Sequence, residues 1–249
     1  MNLKSFPDRR PYAATALLFI AAIIVFLAAG TIVAIMRLAP WSLYIIAFTL
    51  LAVICITLIS IKGWWREAGF RTPYERHLLW LFWLPFVPVI GNLIEGIPDT
   101  DLAQVLLFFV LALLSGFVEE TLFRGLMLRV LRPTGVWRAS IISALLFGVM
   151  HILNVLSFSN PTAALLQVGY ASAIGFCYAA LVIRTGTIWP LILAHFLTNF
   201  AGFMAASGTG AAGPVAFREM MFTAVYIVVL SAYGVYLLRS NQRGIAVSV

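Results

Sequence analysis

Two adjacent glutamates, two histidines and two asparagines lie inside stretches of this sequence that are otherwise apolar. One stretch ends Ser115-Gly116-Phe117-Val118-Glu119-Glu120-Thr121-Leu122-Phe123-Arg124. A second carries Phe147 and His151 and is followed by Asn154, and a third carries His195 and Asn199. Gln167 sits in a fourth. These residue types match one piece of chemistry. A carboxylate beside an imidazole can polarise and deprotonate a water molecule. A second imidazole with an amide donor can stabilise the oxyanion of a tetrahedral intermediate. The set holds the parts needed to hydrolyse a peptide bond.

Helix geometry sorts the candidates. Adjacent residues on an α-helix point about 100° apart, so Glu119 and Glu120 are not expected to face one site. Glu120 and Arg124 are four apart and share a face, which allows an ion pair and leaves Glu119 as the carboxylate for chemistry. His151 with Asn154, and His195 with Asn199, each share a face in the same way. Plainer roles exist for several of them. A Glu120–Arg124 pair is by itself a structural feature, a single intramembrane histidine often serves as a helix–helix hydrogen bond, and Asn154 and Gln167 fit such packing contacts. Phe147 reads as a core aromatic. The conjunction of Glu119, His151, His195 and Asn199 is what points to function.

Other hydrolytic mechanisms fail on inventory. The aspartates are Asp8, Asp99 and Asp101, all in loops or tails, so an intramembrane aspartyl dyad cannot be built. There is no H-E-x-x-H zinc motif and no Gly-x-Ser-Gly element within an apolar run. Glu119, His151 and His195 could nonetheless serve as a two-histidine, one-carboxylate zinc set.

The elements that must carry these residues are membrane helices. Of the 249 residues 63% are hydrophobic and 10% charged, against roughly 25% charged in soluble domains. So few polar groups cannot cover a soluble surface, which leaves lipid as the solvent. Eight runs are long enough to span a bilayer: Tyr12–Met36, Trp41–Ile61, Leu78–Ile94, Leu102–Phe123, Ala139–Leu156, Ala163–Ile183, Ile188–Ser207 and Met220–Leu238. Pro85 and Pro88 should make the third irregular, and the first reads as an uncleaved anchor. An all-α polytopic bundle follows, as one transmembrane domain over residues 1–249 with its motifs in 102–202. Cys55 and Cys177 fall inside apolar runs and read as small core residues.

Charge orients the bundle. The net charge is +7, and the basic residues gather in alternate short loops rather than in a nucleic-acid-binding patch. With the N-terminus inside, only Arg37 and Arg218 of the 16 Lys and Arg fall outside, beside Glu95, Asp99 and Asp101. Both termini are then cytoplasmic. At 1.5 Å per residue, Glu119 lies about 15 Å, His195 about 10 Å and His151 roughly 18 Å from the cytoplasmic ends of their segments. Three segments thus bring ionisable groups to a similar depth, where a charge costs at least ~2.5–3.5 kcal/mol.

The motifs E-E-x-x-x-R (Glu119, Glu120, Arg124), F-x-x-x-H (Phe147, His151) and H-x-x-x-N (His195, Asn199) occur in the order that resembles the CPBP family of CAAX prenyl endopeptidases of type II and bacteriocin-processing or self-immunity proteins. The resemblance covers roughly Leu102–Gly202. It implies an intramembrane endopeptidase in which Glu119 and His151 activate water while His195 and Asn199 form the oxyanion hole. Glu120, Arg124, Phe147 and Asn154 would support the site. Members are commonly labelled metalloproteases, yet a metal-free glutamate mechanism fits these residues and is the one expected here, with Zn2+ as the alternative. The implied partners are membrane lipid and a membrane-associated protein or peptide substrate, with its C-terminal tail one candidate; no nucleic acid is expected. The short loops suggest a prokaryotic plasma membrane.

Two rivals come from other classes. A proton-coupled transporter would string polar residues through the full depth, often in a repeated half, whereas here they cluster at one level. A non-catalytic immunity-type membrane protein would share the fold without the reaction. The loop charges make a direct prediction: a reporter fused after Val249 should behave as cytoplasmic, and one placed within Glu95–Asp101 as external. Exchanged signals would overturn the orientation and the depth argument together.

Overall fold

The computed structural model describes residues 6–94, 99–152, 161–206 and 217–246, and among them it is all helical. A short helix α1 (Phe6–Arg9) leads into α2 (Pro11–Met36) and α3 (Ser42–Lys62). A 3-10 helix over Arg76–Phe86 runs directly into α4 (Val87–Ile94). Next, α5 (Leu102–Glu119) continues without a break through a π-helical turn, Glu120–Met127, into α6 (Leu128–Leu131). Then come α7 (Val136–Met150), α8 (Pro161–Thr185), α9 (Trp189–Ala206) and α10 (Phe217–Ala246).

Six of these helical stretches are long and apolar enough to cross a membrane, and α7 and α9 are shorter apolar helices. The chain is a multi-pass membrane bundle. Large apolar side chains face outward along it, Leu17, Ile24 and Val228 among them, as lipid-facing surface requires. Each of the eight apolar runs overlaps a helix among the described residues, most with limits within about three residues of those read from the sequence; the last continues to Ala246, and two others differ more. The fourth extends past Phe123 to Thr134 as one 33-residue stretch, and the fifth is described as helix from Val136 to Met150.

The irregular third run has a specific chemistry. Pro85 and Pro88 have no N–H, so the carbonyls four residues before them, Leu81 and Leu84, lose their α-helical donors. The chain answers with 3-10 geometry over Arg76–Phe86. Those two carbonyls are taken by α10: the Tyr233 hydroxyl donates to Leu81 O at 2.9 Å and the Tyr226 hydroxyl to Leu84 O at 2.8 Å. Two prolines thereby create two docking points for the last helix.

At the centre lies α8, of which 61% of the spanning window is buried, against 11% for α2. It packs against α7 on one side and α10 on the other. Both contacts rest on small residues, as helix pairs in lipid do. Gly148 of α7 lies against Val168 and Ser172, and Gly234 of α10 lies against Phe176 and Cys177. α9 packs against α5 and α4. At its closest approach to α5, a Cβ added to Gly116 would stand 2.9 Å from Phe196 N and 3.2 Å from Ile192 O, both backbone atoms. The two helices that carry the glutamates and the His195–Asn199 pair are therefore held nearly backbone to backbone.

Candidate active site

The π turn begins at Glu120, one residue after Glu119, and all eight of its residues are buried. Its wider i→i+5 winding turns less per residue than an α-helix, and such turns recur at functional sites. Winding of this kind leaves carbonyls in need of donors, and the Ser143 hydroxyl of α7 donates to Phe123 O at 2.9 Å. Gly125 lets the loop before the 3-10 helix come close: a Cβ there would be 3.3 Å from Ala68 O.

Glu120 and Arg124 form the i,i+4 ion pair, Nη1 to Oε1 at 3.1 Å, with both side chains fully buried. The guanidinium lies 4.1 Å over the Phe147 ring and 5.3 Å from the Tyr178 ring. Gly175 of α8 makes room for it, since a Cβ there would meet Arg124 Nη2 at 3.3 Å and Phe147 Cδ1 at 3.2 Å. Phe147 in turn packs edge-on against Phe123, His151 and His195. It joins the π turn to both histidines.

One expectation is corrected here. Glu119 and Glu120 do face a common partner. His195 Nδ1 lies 2.8 Å from Glu120 Oε1, and its Nε2 lies 3.6 Å from Glu119 Oε2. The 100° rule fails for two reasons: the winding loosens at Glu120, and the imidazole lies between the two carboxylates and presents one nitrogen to each. Glu120, ionised beside Arg124, accepts, so Nδ1 carries the proton. The Glu119 Oε2 atom is buried and makes no hydrogen bond among the described residues. Glu120 Oε2 is likewise without a hydrogen bond, but Glu120 is engaged through Oε1 by both Arg124 and His195, which leaves Glu119 as the less committed carboxylate.

His151 caps the end of α7, and its Nδ1 lies 2.8 Å from Phe147 O. A carbonyl only accepts, so Nδ1 donates and Nε2 keeps a lone pair. His151, His195 and Asn199 share the wall of one cavity of about 100 Å³ with Phe147, Gln167 and Thr198. Asn154 lies outside the described residues. Ser115, which the sequence shows only as a small polar residue in an apolar run, accepts a hydrogen bond from Asn199 Nδ2 at 2.9 Å. Its position four residues before Glu119 on the same helix face was the available signal. Tyr178 and Gly175, which flank the guanidinium, had none.

Among the described residues no group of three or more His, Cys, Asp or Glu side chains is placed to hold a metal ion. His195 turns one nitrogen to each glutamate, and the contact of His151 Nδ1 with Phe147 O leaves its Nε2 open.

The buried chain Arg124–Glu120–His195 predicts unequal mutants. Glu120→Gln should cost about 3–5 kcal/mol by leaving Arg124 without its counter-charge, and should also impair activity in the folded fraction by releasing His195. Arg124→Gln leaves the Glu120–His195 contact and should retain more activity per folded molecule. The double substitution should lose less stability than the two single losses added. Thermal unfolding in detergent, paired with peptide cleavage, checks all three.

Residues 101–201, which contain every described residue of the site, match the family model for type II CAAX prenyl endopeptidase Rce1-like proteins. A curated Bacillus subtilis (strain 168) protein named "Putative membrane peptidase YdiL" is 30% identical over 106 residues, 42% of this chain and 39% of that protein. The chain spans about two-fifths of the length of that curated relative. No solved structure matches the chain. Two of the three ordered motifs line one cavity and the third reaches it through His195, all inside the segment that is similar to the type II CAAX prenyl endopeptidase Rce1-like family.

Proposed function

We propose that this protein is an intramembrane endopeptidase of the CAAX type that hydrolyses a peptide bond of a membrane-associated substrate. The observation that carries the reading is the convergence of His151, His195 and Asn199 on one cavity wall, with both glutamates reaching His195. A relay of protons across the membrane would not need an amide donor beside two imidazoles at one level. The family match and the membrane-peptidase relative support the same class.

In the proposed reaction Glu119 is the base and takes a proton from water. His151 accepts a hydrogen bond from that water at Nε2, the nitrogen its Phe147 contact leaves open. The hydroxide adds to the scissile carbonyl carbon. His195, as the imidazolium with its Nδ1–H held by Glu120, donates from Nε2–H, and Asn199 donates from Nδ2, to the oxygen as it gains charge, the interaction worth most in acyl transfer. The proton held by Glu119 then goes to the leaving amine nitrogen as the C–N bond breaks. Glu120 acts through His195 by fixing its Nδ1 proton, and Arg124 holds Glu120 in place through the ion pair. No metal is needed by any step.

The substrate class proposed is a peptide tail at the membrane surface, reached from the cytoplasmic half of a prokaryotic plasma membrane. The basic loops that flank α5, α7 and α9 support that side. The test uses purified full-length protein in detergent and a fluorogenic peptide ending in a farnesylated Cys-aliphatic-aliphatic-X sequence. Glu119→Gln keeps shape and one acceptor oxygen but removes the base. It should lower cleavage by about 10²–10⁴-fold with no change in melting temperature, and chelators should leave the wild type active. Full activity in Glu119→Gln, or one zinc per chain whose removal abolishes cleavage, would contradict the mechanism.

A further inference from the structure

We propose that Ser115 is a positioning residue that sets the orientation of the Asn199 amide. The inference rests on the reading of Asn199 as an oxyanion donor, and it adds a residue to that site. Ser115 is buried, at 5% exposure. A serine hydroxyl has one proton, and here it is donated to Ala112 O at 3.1 Å. Towards Asn199, therefore, the oxygen can only accept. The group facing it at 2.9 Å must be the NH2 end of the amide and not the carbonyl end. An asparagine amide otherwise has two orientations of nearly equal shape, one of which would turn its carbonyl oxygen where Nδ2 now stands. Ser115 removes that choice. One N–H of Asn199 is bound to Ser115, and the second is left to donate.

The placement is enforced by helix register. Ser115 pairs with Asn199, and Glu119 stands beside His195. Both helices advance four residues between the two contacts, in opposite chain directions, so the pairs are successive rungs of one antiparallel α5–α9 interface. Gly116 permits the approach, because any side chain there would run into the backbone at Phe196. The same rung spacing that brings Glu119 to His195 brings Ser115 to Asn199.

Three variants and two readouts test this. In protein labelled with 15N-asparagine, the side-chain NH2 signal of Asn199, identified by its loss in Asn199→Ala, should move in Ser115→Ala and return towards its wild-type position in Ser115→Thr. An unchanged signal in Ser115→Ala would overturn the contact, whatever the protein cleaves. With the farnesylated fluorogenic peptide, Ser115→Ala should lower kcat by about tenfold to a hundredfold, less than the 10²–10³ for loss of an oxyanion donor, with KM within about twofold. Ser115→Thr should recover most of that loss. Ser115→Ala should add nothing further in an Asn199→Ala background, since it acts through Asn199. A full extra loss in that background, or an effect on KM alone, would overturn the positioning role. If Asn199→Ala cleaves as well as wild type, the oxyanion reading fails instead, and the NMR arm still decides the contact. A wild type that leaves the peptide intact counts against the proposed activity and not against the Ser115–Asn199 bond.

Discussion

A guanidinium and a carboxylate at 3.1 Å, both fully buried among apolar helices, set the terms for everything around them. Arg124 cannot be left alone at that depth, and Glu120 cannot leave it without exposing a bare charge to hydrocarbon. The Phe147 ring lies over the guanidinium, and Gly175 of α8 withholds the side chain that would displace it. Three helical elements, the π turn, α7 and α8, are thereby committed to one arrangement. The carboxylate of Glu120 then has a second task, because the same Oε1 that faces Arg124 faces His195 Nδ1 at 2.8 Å. A structural ion pair and the orientation of a histidine are one object.

The rest of the bundle serves close approach. Small residues let α7 and α10 lie on α8, and Gly116 lets α9 lie on α5. Where two prolines would have left carbonyls orphaned in lipid, tyrosines of α10 supply hydroxyls and dock the last helix. In a membrane an unmade backbone hydrogen bond is costly, so the irregular third segment works as an attachment point. The site itself is two rungs of one helix pair, Glu119 with His195 and Ser115 with Asn199, closed from the side by His151 at the end of α7.

Much of this was legible beforehand, for physical reasons. Long apolar runs in a chain with 10% charge admit little besides membrane helices. The spacings Glu120–Arg124 and His195–Asn199 put each pair on a shared helix face without any tertiary information. The relation between Glu119 and Glu120 was misread because a regular α-helix was assumed, and nothing in Glu-Glu-Thr-Leu-Phe-Arg-Gly-Leu-Met announces a π turn. That winding is stabilised by contacts from other elements, such as the Ser143 hydroxyl on Phe123 O. Ser115 and the two tyrosines were invisible for a related reason. Their partners lie 84, 142 and 152 residues away in the chain, beyond the reach of any local pattern.

The claim on which the account turns is that Glu120 holds the Nδ1 proton of His195 while Glu119 stays open for chemistry. The 15N shifts of the His195 ring, in histidine-labelled protein assigned through His195→Gln, read both nitrogens separately. The account predicts a protonated, hydrogen-bonded Nδ1 in the wild type, retained in Glu119→Gln and disturbed in Glu120→Gln. An unprotonated Nδ1 in the wild type, or a signal that responds to Glu119→Gln and ignores Glu120→Gln, would contradict it.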